Sequence, residues 1–168
     1  MMENDERRRW LCEAMDQYGE SLLRMCYSYL GDRSLAEDAL QETFLKAWKG
    51  FVRFRGESSE KTWLMRIAIN TCRDIRRSAW FRHIDRAVSL DQLSGLEVSF
   101  DARDDAVTKA VMKLRPRLRE AVLLRWYQGL SAEETAQALG ISRSTAYERL
   151  NKAQAILKRE LEEWYDEI

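Results

Sequence analysis

A single proline in 168 residues leaves most of this chain free of the side chain that most reliably interrupts a helix. The proline-free stretches carry apolar residues at helical spacing. Leu11, Met15, Tyr18, Leu22, Met25, Cys26 and Tyr29 recur every three or four positions and predict an amphipathic helix over 10–30 that stops at Gly31-Asp32. Ser34 and Glu37 have the spacing of a capping box and open a second helix to Trp48, striped by Ala36, Leu40, Phe44, Ala47, Trp48 and Phe51. Leu64, Ile67, Ala68, Thr71, Cys72, Ile75 and Ala79 give a third, over 61–79. Residues 80–104 lose the period, with Val88, Leu90, Leu93 and Leu96 lying among Ser, Asp and Gly. Helices resume over Asp105–Leu114 and from Pro116, which suits a first helical turn, to Gly129. No strand alternation, internal repeat or low-complexity tract appears. The expected fold is all-α: two small helical domains, 10–80 and 105–162, joined by a flexible linker over 81–104.

Formal net charge is zero, so bulk electrostatics announce no nucleic-acid partner. Local charge does more. Lys61 to Arg86 holds seven Lys/Arg against two Asp, Lys109 to Arg125 holds six against Glu120, and Glu160 to Ile168 carries five acids and no base. Neutrality thus hides two basic segments and an acidic tail. Three widely spaced cysteines (Cys12, Cys26, Cys72) without a CxxC suit reduced thiols rather than a disulfide framework or a zinc site. One histidine and no glycine-rich phosphate loop leave little from which to build an enzyme, so neither metal nor cofactor is expected. No apolar run approaches membrane-spanning length and MMENDERRRW lacks an apolar signal core, so a soluble cytoplasmic protein is expected.

The stretch SAEETAQALGISRSTAYERLNK, 131–152, predicts two short helices around a tight turn. Ser131 and Glu134 form a capping box, Gly140 suits a left-handed turn, and Ser142 can cap a second helix on which Ala146, Leu150 and Ala153 share a face. Arg143, Ser144, Tyr147, Glu148, Asn151 and Lys152 occupy the outer face. This is a helix-turn-helix pattern, although an ordinary helical hairpin uses the same signals.

Three other features have two readings each. Glu37, Asp38, Gln41 and Glu42 make an acidic patch early in the second helix, either complementing its dipole or docking a basic partner; charge alone favours the dipole. FVRFRGESSE, 51–60, is a loop with two Phe and two Arg, suited to stacking on unpaired bases or to folding back as an apolar lid. Arg66, Asn70, Arg73 and Arg77 recur at intervals of four, three and four and share one face. With Asp74 the only acid nearby, that face suits a phosphate backbone, with Asn70 able to address a base, more than plain solvation.

Taken together, these residues resemble the extracytoplasmic-function (ECF) sigma factors, small members of the sigma-70 family of bacterial transcription initiation factors. AEDALQETFLKAWKGF is similar to the family's core-polymerase-binding helix, FRGESSEKTWLMRIAINTCRDIRRS to its promoter-melting loop and basic helix, and LRPRLREAVLLRWYQGLSAEETAQALGISRSTAYERLNKA to its C-terminal promoter-binding domain. The resemblance implies that 10–80 is sigma region 2, 81–104 the linker and 105–162 sigma region 4. It implies core RNA polymerase docking on Asp38, Gln41 and Glu42, which reverses the preference for the dipole reading. It implies a flipped minus-ten base held by the loop (Phe54, Arg55, Gly56, Ser58, Ser59), and DNA contact there by Arg66, Asn70, Arg73, Arg76 and Arg77. It implies minus-thirty-five contact by Arg143, Ser144, Thr145, Tyr147, Glu148, Arg149 and Lys152. An anti-sigma factor, often membrane-anchored, is a further implied partner. Thr135 and Ala146 stand where the family usually has larger aliphatics, implying looser packing; Met65 replaces a common aromatic and Glu60 a usual apolar residue. The competing reading is a dimeric helix-turn-helix regulator that binds an operator alone; it leaves the acidic patch and the loop without a use.

Overall fold

The computed structural model describes residues 2–82 and 102–166, and among them there is no strand. Among the described residues the α-helices follow one another as α1 (Met2–Leu30), α2 (Arg33–Gly50), α3 (Glu60–Arg82), α4 (Ala102–Lys113), α5 (Pro116–Val122), α6 (Ala132–Leu139) and α7 (Arg143–Asp166). The fold is all-α.

Several element bounds depart from the sequence expectation, each for a physical reason. Helix α1 starts eight residues early because Glu3 and Asp5 occupy its first turn, where the helix dipole favours acids. Arg7 then ties this polar extension down, its Nε donating to the Trp48 carbonyl at 2.6 Å and its guanidinium lying 4.0 Å from the Trp48 ring centroid. The Ser34/Glu37 capping box is not formed. Asp32 is the N-cap of α2 instead, its carboxylate accepting from Leu35 N–H at 2.9 Å, and Glu37 pairs with Arg33. Helix α3 runs on to Arg82 and α4 begins at Ala102, so the 81–104 linker loses both ends to helices; the rest of it lies outside the described residues. The helix from Pro116 does not continue as α to Gly129. It widens after Val122 into a π-helical turn, Leu123–Tyr127, with Gln128 N–H donating to the Leu123 carbonyl at 3.0 Å. The wider turn leaves Leu123, Leu124 and Leu130 all buried while Trp126 remains exposed.

Leu22, Met25 and Tyr29 of α1 and Leu64, Met65 and Ile69 of α3 are buried in the first half, and Val111, Leu114, Val122, Leu123, Leu139 and Leu150 in the second. Met15, expected on the buried stripe of α1, is exposed. Close approach is tight at one point: a Cβ at Gly50 would lie 3.2 Å from the Trp63 ring. The two halves pack on each other. Their buried residues form one contiguous cluster, with α3 packed on α6 and α1 on α4 and α5.

Candidate nucleic-acid interface

The helix-turn-helix forms as its caps dictate. Ser131 Oγ accepts from Glu134 N–H and Glu134 Oε1 accepts from Ser131 N–H, both at 3.0 Å. These bonds to Ser131, with smaller help from Thr62 and Lys61, hold the Glu134 carboxyl below the usual carboxylate range. Gly140 ends α6 at φ +66°, a conformation that costs a side-chain-bearing residue free energy. Ser142 Oγ accepts from Thr145 N–H at 3.1 Å and starts α7. Ala136, Leu139, Ala146, Leu150 and Ala153 are buried, and so is Thr135, whose hydroxyl has no hydrogen-bond partner.

On the outer face, Arg143, Ser144, Tyr147, Glu148, Asn151 and Lys152 are exposed, with Thr145 and Arg149 half-buried. Arg143 pairs with Glu133 at 2.9 Å and lies 5.5 Å from the Tyr147 ring centroid; Lys152 pairs with Glu148 at 3.2 Å. Thr145, Glu148, Arg149 and Lys152 share a cleft of about 1150 Å³ with Arg76, Lys113, Arg115 and Arg117. The last three are absent from the site read in the sequence, although the basic run over 109–125 signalled them.

The 51–60 loop folds its aromatics inward beside a pocket. Phe51–Arg53 form one 3-10 turn. Phe51 packs on Trp10 and Phe54 on Trp63, each with centroids 4.8 Å apart, and the two tryptophans meet at 5.7 Å. Glu60 accepts from Trp10 Nε1–H at 3.0 Å, which gives a use to a carboxylate where an apolar residue was expected. Phe54, Arg55, Ser58 and Arg66 line a pocket of about 160 Å³ together with Arg53, Thr62, Trp63 and Gln137. Ser59 instead caps α3, its Oγ accepting from Thr62 N–H at 3.0 Å, and neither it nor Gly56 lines the pocket. Trp63 and Gln137 escaped the sequence reading. Trp63 lies off the apolar stripe read for its helix, and Gln137 arrives from 74 residues downstream.

The face of α3 is only partly open. Arg66, Asn70 and Arg77 are exposed. Arg73 is not: its Nε and Nη2 donate to the two carboxylate oxygens of Glu120 at 2.9 and 2.7 Å, and Tyr29 Oη donates to Glu120 Oε1 at 2.8 Å. Arg76 Nε donates to Tyr29 Oη at 3.3 Å. The compensating acid that the sequence around α3 lacks comes from α5. Hydrogen bonding to Glu120 raises the Arg73 pKa further. Burial first, then the Glu120 charge, pushes the Tyr29 phenol well above its ordinary value. On α2, Asp38, Gln41 and Glu42 are all exposed, and Glu42 reaches Lys46 only at 4.0 Å. Because α2 begins at Arg33, no acid lies in its first turn, where the dipole acts most strongly. The dipole account of this patch therefore loses its basis.

Comparison with known proteins places this arrangement. The family models Sigma-70 region 2 and Sigma-70, region 4 match residues 14–82 and 104–164. The chain is 32% identical over 182 residues to the ECF RNA polymerase sigma factor SigG of Mycobacterium tuberculosis, covering 92% of this chain and 49% of SigG; it thus spans about half that relative's length. RNA polymerase sigma factor YlaC of Bacillus subtilis is 30% identical over 154 residues, covering 86% of this chain and 88% of YlaC. The solved structure of CnrH in complex with the cytosolic domain of CnrY superposes with a TM-score of 0.71 at 26% identity, covering 92% of this chain and 89% of that one. The sigma factor RpoE of Bartonella quintana, solved with the anti-sigma factor NepR, shares the fold with a TM-score of 0.72 at 24% identity, covering 89% and 95%.

Proposed function

This chain belongs to the ECF sigma factors of the sigma-70 family, and from that premise we propose that it binds core RNA polymerase and directs promoter-specific initiation. Residues 10–80 act as sigma region 2 and 105–162 as sigma region 4, with helix α3 extending the first and α4 the second. Asp38, Gln41 and Glu42 dock on a basic surface of the polymerase. The pocket beside Phe54, Arg55 and Ser58 takes a base unstacked from the minus-ten strand, lowering the cost of opening the duplex by a few kcal/mol per base. Helix α3 holds the phosphates there, and the outer face of α7 enters the minus-thirty-five major groove. The protein itself makes and breaks no covalent bond. It acts in the cytoplasm beside the polymerase, and an anti-sigma factor restrains it, a reading supported by the match to CnrH seated on another protein.

The observation that carries this reading is the acidic face of α2, exposed and outside the first helical turn, on the same chain as a formed helix-turn-helix. An autonomous repressor has no use for it. Run-off transcription with bacterial core polymerase on a genomic promoter library tests the proposal. Promoter-specific transcripts should appear with the wild type and vanish when Asp38 and Glu42 are both replaced by Arg. Operator protection by the protein alone, with no transcripts from an active core, would instead establish the regulator.

A further inference from the structure

The opening turns of α1, residues 2–13, precede the Sigma-70 region 2 match, which begins at residue 14. The proposed function gives them no part. They are rich in charge and offer little apolar surface to bury, yet two of their side chains bind them to the body of the protein. Arg7 holds the Trp48 carbonyl and ring near the end of α2. Trp10 reaches the 51–60 loop and the start of α3.

Trp10 is the second link in a row of four rings. Phe51, Trp10, Trp63 and Phe54 follow one another with centroids 4.8, 5.7 and 4.8 Å apart, spacings at which aromatic pairs attract beyond their buried area. The row ends in the base pocket, which Trp63 and Phe54 line and Trp10 does not. Trp63 is bounded by Gly50 as well, where an added Cβ would lie 3.2 Å from its ring. Contacts to Gly50, Phe54 and Trp10 together set where that ring stands. Stacking alone lets a ring slide in its own plane. The Trp10 ring is also held at its edge, where Nε1–H donates to Glu60 Oε2 at 3.0 Å, and such a bond is directional.

We propose that Trp10 is a positioning residue for the base pocket. Without lining the pocket, it sets the Trp63 ring and through it the Phe54 wall, and so governs how tightly an unstacked base is held. Glu60 belongs to the same device, because its carboxylate fixes the Trp10 ring. This rests on the reading of the pocket as the minus-ten base site. A binding site keeps its geometry only when the side chains that form it are locked by their neighbours, and a misplacement of about 1 Å can cost roughly a hundredfold where orientation matters.

The test uses holoenzyme assembled from core polymerase and the full chain, on a promoter recovered from the run-off library. Abasic sites are placed one at a time along the non-template minus-ten strand, and initiation rates are measured below saturation. In the wild type, one position should lower the rate by about tenfold. Trp10→Leu should initiate about tenfold more slowly on the intact promoter and lose most of its sensitivity at that position, with core affinity unchanged. A pocket already loosened has little left to lose when the base is removed, whereas a merely structural defect would multiply with the abasic loss. Trp10→Phe keeps a ring in the row and should restore most of the rate and the sensitivity. Sensitivity in Trp10→Leu equal to that of the wild type would overturn the proposal. If Trp10→Leu loses core affinity, the exposed Glu60 decides: Glu60→Ala should reduce the sensitivity by about twofold, and no reduction would overturn Trp10's role. A wild type that makes promoter-specific transcripts but has no sensitive position would overturn the base-pocket reading and Trp10's role with it, as would the absence of such transcripts.

Discussion

Helices α3 and α7 present similar chemistry to the outside, a row of Arg with an amide or hydroxyl among them, yet their charges are handled in opposite ways. On α7, Arg143 and Lys152 pair with Glu133 and Glu148 of the same half, and all four side chains are at least half exposed. On α3, the central cation Arg73 is paired across the molecule with a carboxylate whose side chain is 3% exposed. Exposed pairs of the first kind contribute little and exchange readily with water or phosphate. A buried bidentate pair fixes geometry and is costly to break from one side. One basic helix is therefore open to a ligand as it stands, and the other has its central cation withheld by an element distant in sequence.

The largest effect that would break this contrast lies in double-mutant cycles on the two pairs. Arg73→Ala leaves Glu120 buried without its cation and should cost about 3 kcal/mol in urea unfolding, with strong coupling to Glu120→Ala. The Arg143/Glu133 cycle should show no measurable coupling. Equal couplings would erase the distinction between the helices. Next in size, Gly140→Ala forces a side chain into the left-handed turn before α7 and should destabilise by about 1–2 kcal/mol, read as a lower Tm. Promoter-specific transcription should be lost with it, because the position of α7 depends on that turn.

A stabilising change comes third. Thr135→Val removes a buried hydroxyl that has no partner and should raise stability by about 1 kcal/mol in denaturant unfolding; a loss would mean that the hydroxyl is satisfied in solution. The smallest effect is one of pH. The Glu134 carboxyl is held low by its bonds to Ser131, so its contribution to stability is complete above the ordinary carboxylate value and fades as pH falls through its lowered one. Wild-type and Glu134→Gln melting temperatures should differ at neutral pH and converge in acid. A constant difference across the titration would show that the capping carboxylate does not act through its charge.

Local rules carried the helix-turn-helix almost entirely. Ser131, Glu134, Gly140 and Ser142 act on atoms within three or four residues of themselves, and their bonds are those their spacing demands. The same rules misplaced the start of α2, because Asp32 and Ser34 are both competent caps and only the built chain chooses between them. The π-helical turn after Val122 was not legible either, since a widened turn leaves no mark on apolar spacing. Residues of the candidate interface divide along the same line. Arg66, Asn70 and the α7 face follow from helical periodicity, whereas Trp63 and Gln137 needed neighbours from other elements to declare themselves, and the basic run signalled Arg115 and Arg117 without assigning them to the α7 cleft.

What this sequence determined by itself is its helices, their caps, the apolar faces that must meet, and the three chemically distinct surfaces that mark its family. Each depends on interactions that close within one or two turns of chain. What only the tertiary structure decided is which of those surfaces is free. Glu120 and Arg73 are 47 residues apart, and nothing in the spacing of either says that they meet. Their pairing is fixed by how α5 and α6 pack on α3, a long-range choice that converts two ordinary surface charges into a buried contact between the halves.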